Sequence, residues 1–195
     1  MPRKTRQESP TGIYHWISRG YLKRDIFRSK ADFDKFLDLV REHKSQYHIA
    51  VYHYCLMNNH VHFLIRAPST DLLSVFSHFI KRRYAYYFSK TYDHAGPTFE
   101  KRFNAILIDD ERHLLECGRY IERNPVRAGM VKHPVDYAYS SCKFYLQSAI
   151  NDILTPSPAF VALSEDEDAK RRLYEEYITA VRPQEEFANS PAFVG

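Results

Sequence analysis

The chain has no apolar run long enough to span a bilayer, and its first ten residues, MPRKTRQESP, are polar and basic, without an apolar core of signal-peptide length. A soluble, cytoplasmic protein with no membrane partner is expected. Cysteine is scarce: Cys55, Cys117 and Cys142 are an odd number at scattered positions, with no CxxC pair. That excludes a zinc knuckle or a disulfide framework and predicts reduced thiols. Internal repeats and low-complexity segments are also missing. What is present is enough for one core. At 195 residues, 44% of them hydrophobic, the chain should fold as one main domain over residues 11–147, with a helical extension and tail over 148–195.

The formal charge is only +4, but it is unevenly spread. Arg19, Lys23, Arg24 and Arg28 cluster early, followed by Lys81, Arg82 and Arg83 and then Lys101 and Arg102, while Glu165 to Asp168 and Glu185-Glu186 gather late. Tyrosine and phenylalanine are abundant, at 15 and 13 residues. Aromatics mixed with basic residues suit single-stranded nucleic acid, whose bases stack and whose phosphates need cations. Most of these rings are nonetheless expected in the core.

Ile13 to Ser18 reads as a first strand ended by Arg19-Gly20, and Phe33, Phe36, Leu37 and Val40 have helical spacing, with Ser29 as N-cap and an end near Tyr47. Ile49 to Met57 reads as a second strand, joined through an Asn58-Asn59 turn to a third that ends at Arg66. This hairpin sets Met57 opposite His60 and Cys55 opposite His62. Tyr52, Tyr54 and Leu56 should share the core face with Ile65, Phe63 and Val61. Ser69 or Thr70 opens a second helix carrying KRRYAYYFSK, residues 93–97 form a loop, and Asn104 to Asp109 is a fourth strand.

The order strand, helix, strand, strand, helix, strand predicts an α+β, ferredoxin-like split βαβ sandwich, with helices on one face of an antiparallel sheet and the other face open for chemistry. Asp109 or Asp110 caps a third helix through Leu114, Leu115, Cys117 and Ile121, expected to stop near Asn124 because a proline disfavours helical geometry in the residue before it. Ser164 is a cap for a last helix bearing Leu173, Tyr174, Tyr177 and Ile178.

On the third strand, side chains alternate faces, so His60 and His62 point the same way. Two imidazoles side by side form half of a divalent-metal site, although two ordinary surface or core histidines would look the same. Tyr120 and Asn124 stand four apart on one helix face. A tyrosine is a nucleophile once its hydroxyl loses a proton; the plain alternative is an amphipathic-helix residue with its ring buried. For Asn124 the alternative to a metal ligand is an N-cap, with Pro125 starting the next turn.

IYHWISRG, YCLMNNHVHFLI, FEKRFNAILID, GRYIERNPVRAGMV and DYAYSSCKFYL together resemble the single-tyrosine HUH transposases, and within them the REP-associated tyrosine transposases, over roughly residues 11–146. The resemblance implies a ferredoxin-like nuclease in which His60 and His62 hold Mg²⁺ or Mn²⁺ and Tyr120 is the nucleophile. Asn124 stands where insertion-sequence relatives have a glutamine ligand, as in the REP-associated group. The implied activity is metal-assisted cleavage and rejoining of single-stranded DNA near hairpin sequences through a 5′-phosphotyrosine, with Arg19, Lys81, Arg82, Arg83, Lys101 and Arg102 on phosphates. The enzyme could work as a monomer or a homodimer. Two other readings remain: a domesticated hairpin-DNA-binding protein without strand transfer, and a metal-dependent hydrolase of a small phosphate ester using water.

Overall fold

The computed structural model describes residues 7–100 and 103–180. Four strands, β1 (Ile13–Arg19), β2 (Ala50–Met57), β3 (His60–Arg66) and β4 (Asn104–Leu107), form one sheet in the order β2-β3-β1-β4, every neighbour antiparallel. Helix α1 (Lys30–His43) links β1 to β2, and α2 (Thr70–Tyr92) links β3 to β4. This is the ferredoxin-like arrangement that the element order predicts.

Both of these helices begin where the sequence supplies an acceptor. Ser29 and Asp32 form a reciprocal capping box on α1, and the Ser69 hydroxyl accepts from the backbone of Leu72 on α2. Helix α1 ends at His43, earlier than its spacing suggests, because the chain tightens into a 3₁₀ turn and reverses at His48 in the left-handed region. Trp16, Phe36, Phe63, Phe76 and Tyr84 are all fully buried between the sheet and the α1–α2 layer, their rings 5.1 to 6.5 Å apart in tilted, stacked and edge-on pairs.

The other face is not open. Helix α3 (Glu111–Arg127) lies across it, and Ile13, Cys55, Leu64, Leu114, Cys117 and Ile121 make a second core beneath α3. Strands β2 and β3 are therefore buried on both faces. Behind α3, α4 (Cys142–Gln147), α5 (Pro158–Val161) and α6 (Glu167–Thr179) build a third cluster around Tyr145, Phe160 and Tyr174. The α6 cap is Asp166, which accepts from Ala169, and Ser164 instead accepts from the backbone of Asp166.

Two further expectations change for local reasons. The hairpin register holds at Met57–His60 and Cys55–His62, but a β-bulge between Val51 and His53 leaves Tyr52 as the extra residue. Val51 takes the core position opposite Ile65, and Tyr52 joins the core beneath α3. Helix α3 also runs through Pro125 to Arg127. Proline removes one N–H from the helix ladder, and the Asn124 side chain compensates: its Nδ2 donates to the carbonyls of Tyr120 at 2.9 Å and Ile121 at 3.4 Å. Asn124 is thus a helix-interior residue bridging the gap, and the N-cap reading falls.

Candidate active site

Sheet and helix meet at a histidine cluster. On β3, His60 and His62 lie on the α3 face with ring centroids 4.8 Å apart. From α3, the ring of Tyr120 stands edge-on to His62 at 5.8 Å. A third histidine completes the group. His15, on β1, is fully buried, stands 5.9 Å from the Tyr120 ring, and places its Nε2 2.9 Å from Nδ1 of His62.

Both β3 histidines are held through Nδ1. The Asn59 side chain donates through Nδ2 to the carbonyl of Lys23 at 3.0 Å, which aims its Oδ1 at Nδ1 of His60, 2.6 Å away. That oxygen can only accept, so Nδ1 of His60 carries the proton and Nε2 is the lone-pair nitrogen. For His62 the same outcome follows when its Nδ1–H donates to His15. Fixing one ring nitrogen by a hydrogen bond determines which nitrogen can bind a metal.

Burial drives all three rings to the neutral form that ligation requires. It lowers His15 to about 3, aided by His113, and His60 to about 4, aided by Arg19. His62 falls well below its ordinary value, first through burial and then through His15, His60, Arg19 and Arg127.

Two cations face the tyrosine. Arg19, at the end of β1, is the register partner of His60. Arg127, two helical turns beyond Tyr120, sits with its guanidinium carbon 4.9 Å from the centre of the tyrosine ring. Burial raises the Tyr120 pKa, while the charge and hydrogen bond of Arg127 oppose the rise. Tyr120 therefore rests as a phenol, with a cation placed to stabilise the phenolate.

Among the described residues of the expected DNA set, Arg19 joins this cluster. Lys81, Arg82 and Arg83 are on α2, across the sheet; Lys81 and Arg82 line a groove of about 410 Å³ with His78, Phe99 and Phe103, and Arg83 lies over Phe79 at 5.6 Å. The groove still reaches the cluster's rim. Lys81 donates to the carbonyl of Glu100, whose own N–H donates to the carbonyl of Arg19. Lys101 and Arg102 lie outside the described residues.

The sequence marks Asn59 only as a turn residue and does not single out His15 or Arg127, although each stands inside one of the motifs. Arg127 had a usable signal, because a spacing of seven returns to the same helix face. His15 had none, since only strand pairing sets it beside His62.

A ferredoxin-like sheet with paired histidines facing a helix-borne tyrosine defines a class of fold and site that the sequence comparison then names. The family described as "Transposase IS200 like" matches residues 9–124, well over half of the chain and a span that includes both β3 histidines and Tyr120. The chain belongs to this family. In fold it is similar to the REP-associated tyrosine transposase solved bound to a REP hairpin, with a TM-score of 0.61 and 16% identity, covering 80% of this chain and 93% of that one. A crystal structure of a candidate transposase from Deinococcus radiodurans R1 aligns with a TM-score of 0.43 and 17% identity, covering 63% of this chain and 97% of that one. No curated protein matches significantly.

Proposed function

We propose that this transposase cleaves and rejoins single-stranded DNA beside hairpin sequences, with Tyr120 as nucleophile and a 5′-phosphotyrosine as intermediate. One observation carries the reading: Tyr120, 58 positions away in sequence, stands 5.8 Å from the His62 ring with Arg127 over its own ring. The donor set fits a divalent cation. His15 joins the cluster through its contact with His62, but among the described residues no three His, Cys, Asp or Glu groups are placed to hold one ion; the assigned ligands are His60 and His62 through Nε2, with the Oδ1 of Asn124 as the remaining candidate. So few protein ligands leave coordination positions for phosphate oxygens, as catalytic sites do. A bound Mg²⁺ or Mn²⁺ supplies Lewis-acid polarisation of the scissile phosphate.

The protein's own residues do the rest. The Tyr120 oxygen gives up its proton and forms a bond to phosphorus as the bond to the 3′ oxygen breaks; the 3′ oxygen takes up a proton and leaves as a hydroxyl, and the phosphate stays on tyrosine. Arg127 and Arg19 stabilise charge that develops on the phenol and the phosphate. The retained phosphoester is then open to attack by another 3′-hydroxyl, which rejoins strands and frees the tyrosine. The groove beside Lys81 and Arg82 gives the flanking strand a basic path to Arg19. The nuclease unit is residues 11–147, with 148–195 as its extension.

The test uses a DNA hairpin with a single-stranded flank, with and without Mg²⁺ or Mn²⁺. A strand labelled on the 3′ side of the cut should migrate with the protein on a denaturing gel, and Tyr120→Phe should bind but form no adduct. Cleavage retained by Tyr120→Phe would indicate a water nucleophile and a hydrolase. Hairpin binding by the wild type with no cleavage under any metal would indicate a binding protein.

A further inference from the structure

The flank of α3 opposite Tyr120 carries a buried carboxylate that the proposed chemistry does not use. Glu122 is fully buried, as are Ser141 and Tyr174, and His53 is nearly so. Its Oε1 accepts from His53 Nδ1 at 2.9 Å and from the Ser141 hydroxyl at 2.5 Å, and its Oε2 accepts from the Tyr174 hydroxyl at 3.0 Å. Three donors from β2, the start of α4, and α6 thus converge on one carboxylate. A buried charge of this kind is tolerated only when its acceptor sites are filled, and filled networks fix geometry.

Gly118 makes the arrangement possible. A Cβ there would lie 2.8 Å from Nε2 of His53, so His53 packs directly against the helix backbone one turn before it reaches Glu122. Helix residues advance about 100° each, which puts Tyr120 about 200° from both Gly118 and Glu122. Docking on one flank therefore sets the roll of the helix and, through it, the direction of the tyrosine on the other. The same helix holds the end of α6: Arg119 donates to the carbonyls of Tyr177 at 3.0 Å and Ala180 at 2.6 Å, and Arg123 to that of Ile178 at 2.6 Å. These are terminal carbonyls that helix geometry leaves without partners.

We propose that Glu122 and its donors His53, Ser141 and Tyr174 are a clamp by which the C-terminal helix α6 sets the roll of α3 and so positions Tyr120. They are positioning residues. The functional half of the proposal rests on Tyr120 being the nucleophile, whereas the geometric half does not.

The experiment keeps the two apart. In the full chain, 3-fluorotyrosine at position 120 gives a fluorine NMR line that reports the ring's surroundings without any reaction. Tyr174→Phe keeps the α6 ring and deletes one donor to Glu122. This variant should shift or split the fluorine line and slow single-turnover cleavage of hairpin DNA about 10- to 100-fold, with hairpin Kd unchanged. Glu122→Gln should do the same; if it does not fold, Tyr174→Phe decides. A fluorine line like that of the wild type overturns the clamp, even if the melting temperature falls. A line that moves while the cleavage rate stays put overturns its role in the reaction. If the wild type forms no covalent adduct, the nucleophile assignment falls, and the line alone decides the clamp.

Discussion

The two faces of the sheet use buried carboxylates for different ends. On the α1–α2 face, Asp32 accepts from the N–H groups of Arg28 and Ser29 and from the hydroxyls of Tyr87 and Tyr92, closing the start of a helix. On the α3 face, Glu122 joins β2, α4 and α6 to the helix that carries Tyr120. The rest of each face follows suit. One is a block of aromatic rings; the other interleaves His15, His53, His60 and His62 with aliphatic residues. Because both arise from alternate positions of the same strands, the aromatic block and the histidine cluster are separated by side-chain parity rather than by region of sequence.

That separation can be broken by matched substitutions. His62→Ala should abolish metal-dependent cleavage while cooperative unfolding persists, whereas Trp16→Ala, on the adjacent strand but the opposite face, should cost about 3–5 kcal/mol in denaturant unfolding. Equal losses of stability in both would erase the distinction. A smaller effect is expected at His15. Removing the partner of His62 Nδ1 should weaken metal affinity about 10- to 100-fold by calorimetry while leaving hairpin binding intact.

The carboxylate comparison is sharpened by acid. Burial would raise the Asp32 pKa, but the hydrogen bonds from Tyr92, Arg28, Tyr87 and Ser29 outweigh it and hold it below its ordinary 3.8. A depressed folded pKa means that the contribution is fully present above the unfolded value and is lost as pH falls through the folded one. Wild-type stability should therefore drop as pH descends below about 4, and Asp32→Asn should be less stable at neutral pH and show a shallower acid limb. The smallest effect is Asn124→Ala, which reopens the gap left by Pro125 and should cost about 1 kcal/mol by thermal melting. A loss of metal affinity in that variant would add Oδ1 to the ligand set.

Periodicity made the first face legible, because apolar residues at periods of 2 and 3.6 report burial directly: Phe33, Phe36 and Val40 on α1 and Val61, Phe63 and Ile65 on β3 all fall in the core. The second face was legible only in part. His60, His62 and Tyr120 stood out through local spacing and resemblance, and the structure brings them together. Its being covered by α3 was missed because the helices that complete a two-layer sandwich account for only one side. His15, His53 and Glu122 owe their significance to partners 47, 69 and 52 positions away. No window of sequence contains both halves of such a pair. The bulge at Tyr52 was hidden for a related reason, since β-branched and aromatic residues suit either register.

One feature of β2 reaches past the single chain. As the outermost strand, it would offer an unpaired row of backbone groups, but later segments take them up: Leu56 N–H donates to Tyr139, Ser141 N–H to Tyr54 and Thr155 N–H to Val51. The edge is sealed from within, so a foreign strand finds no template there. Among the described residues the opposite border, four-residue β4, is left as the place where another chain could add to the sheet, and its shortness limits how firmly an extra strand could hold.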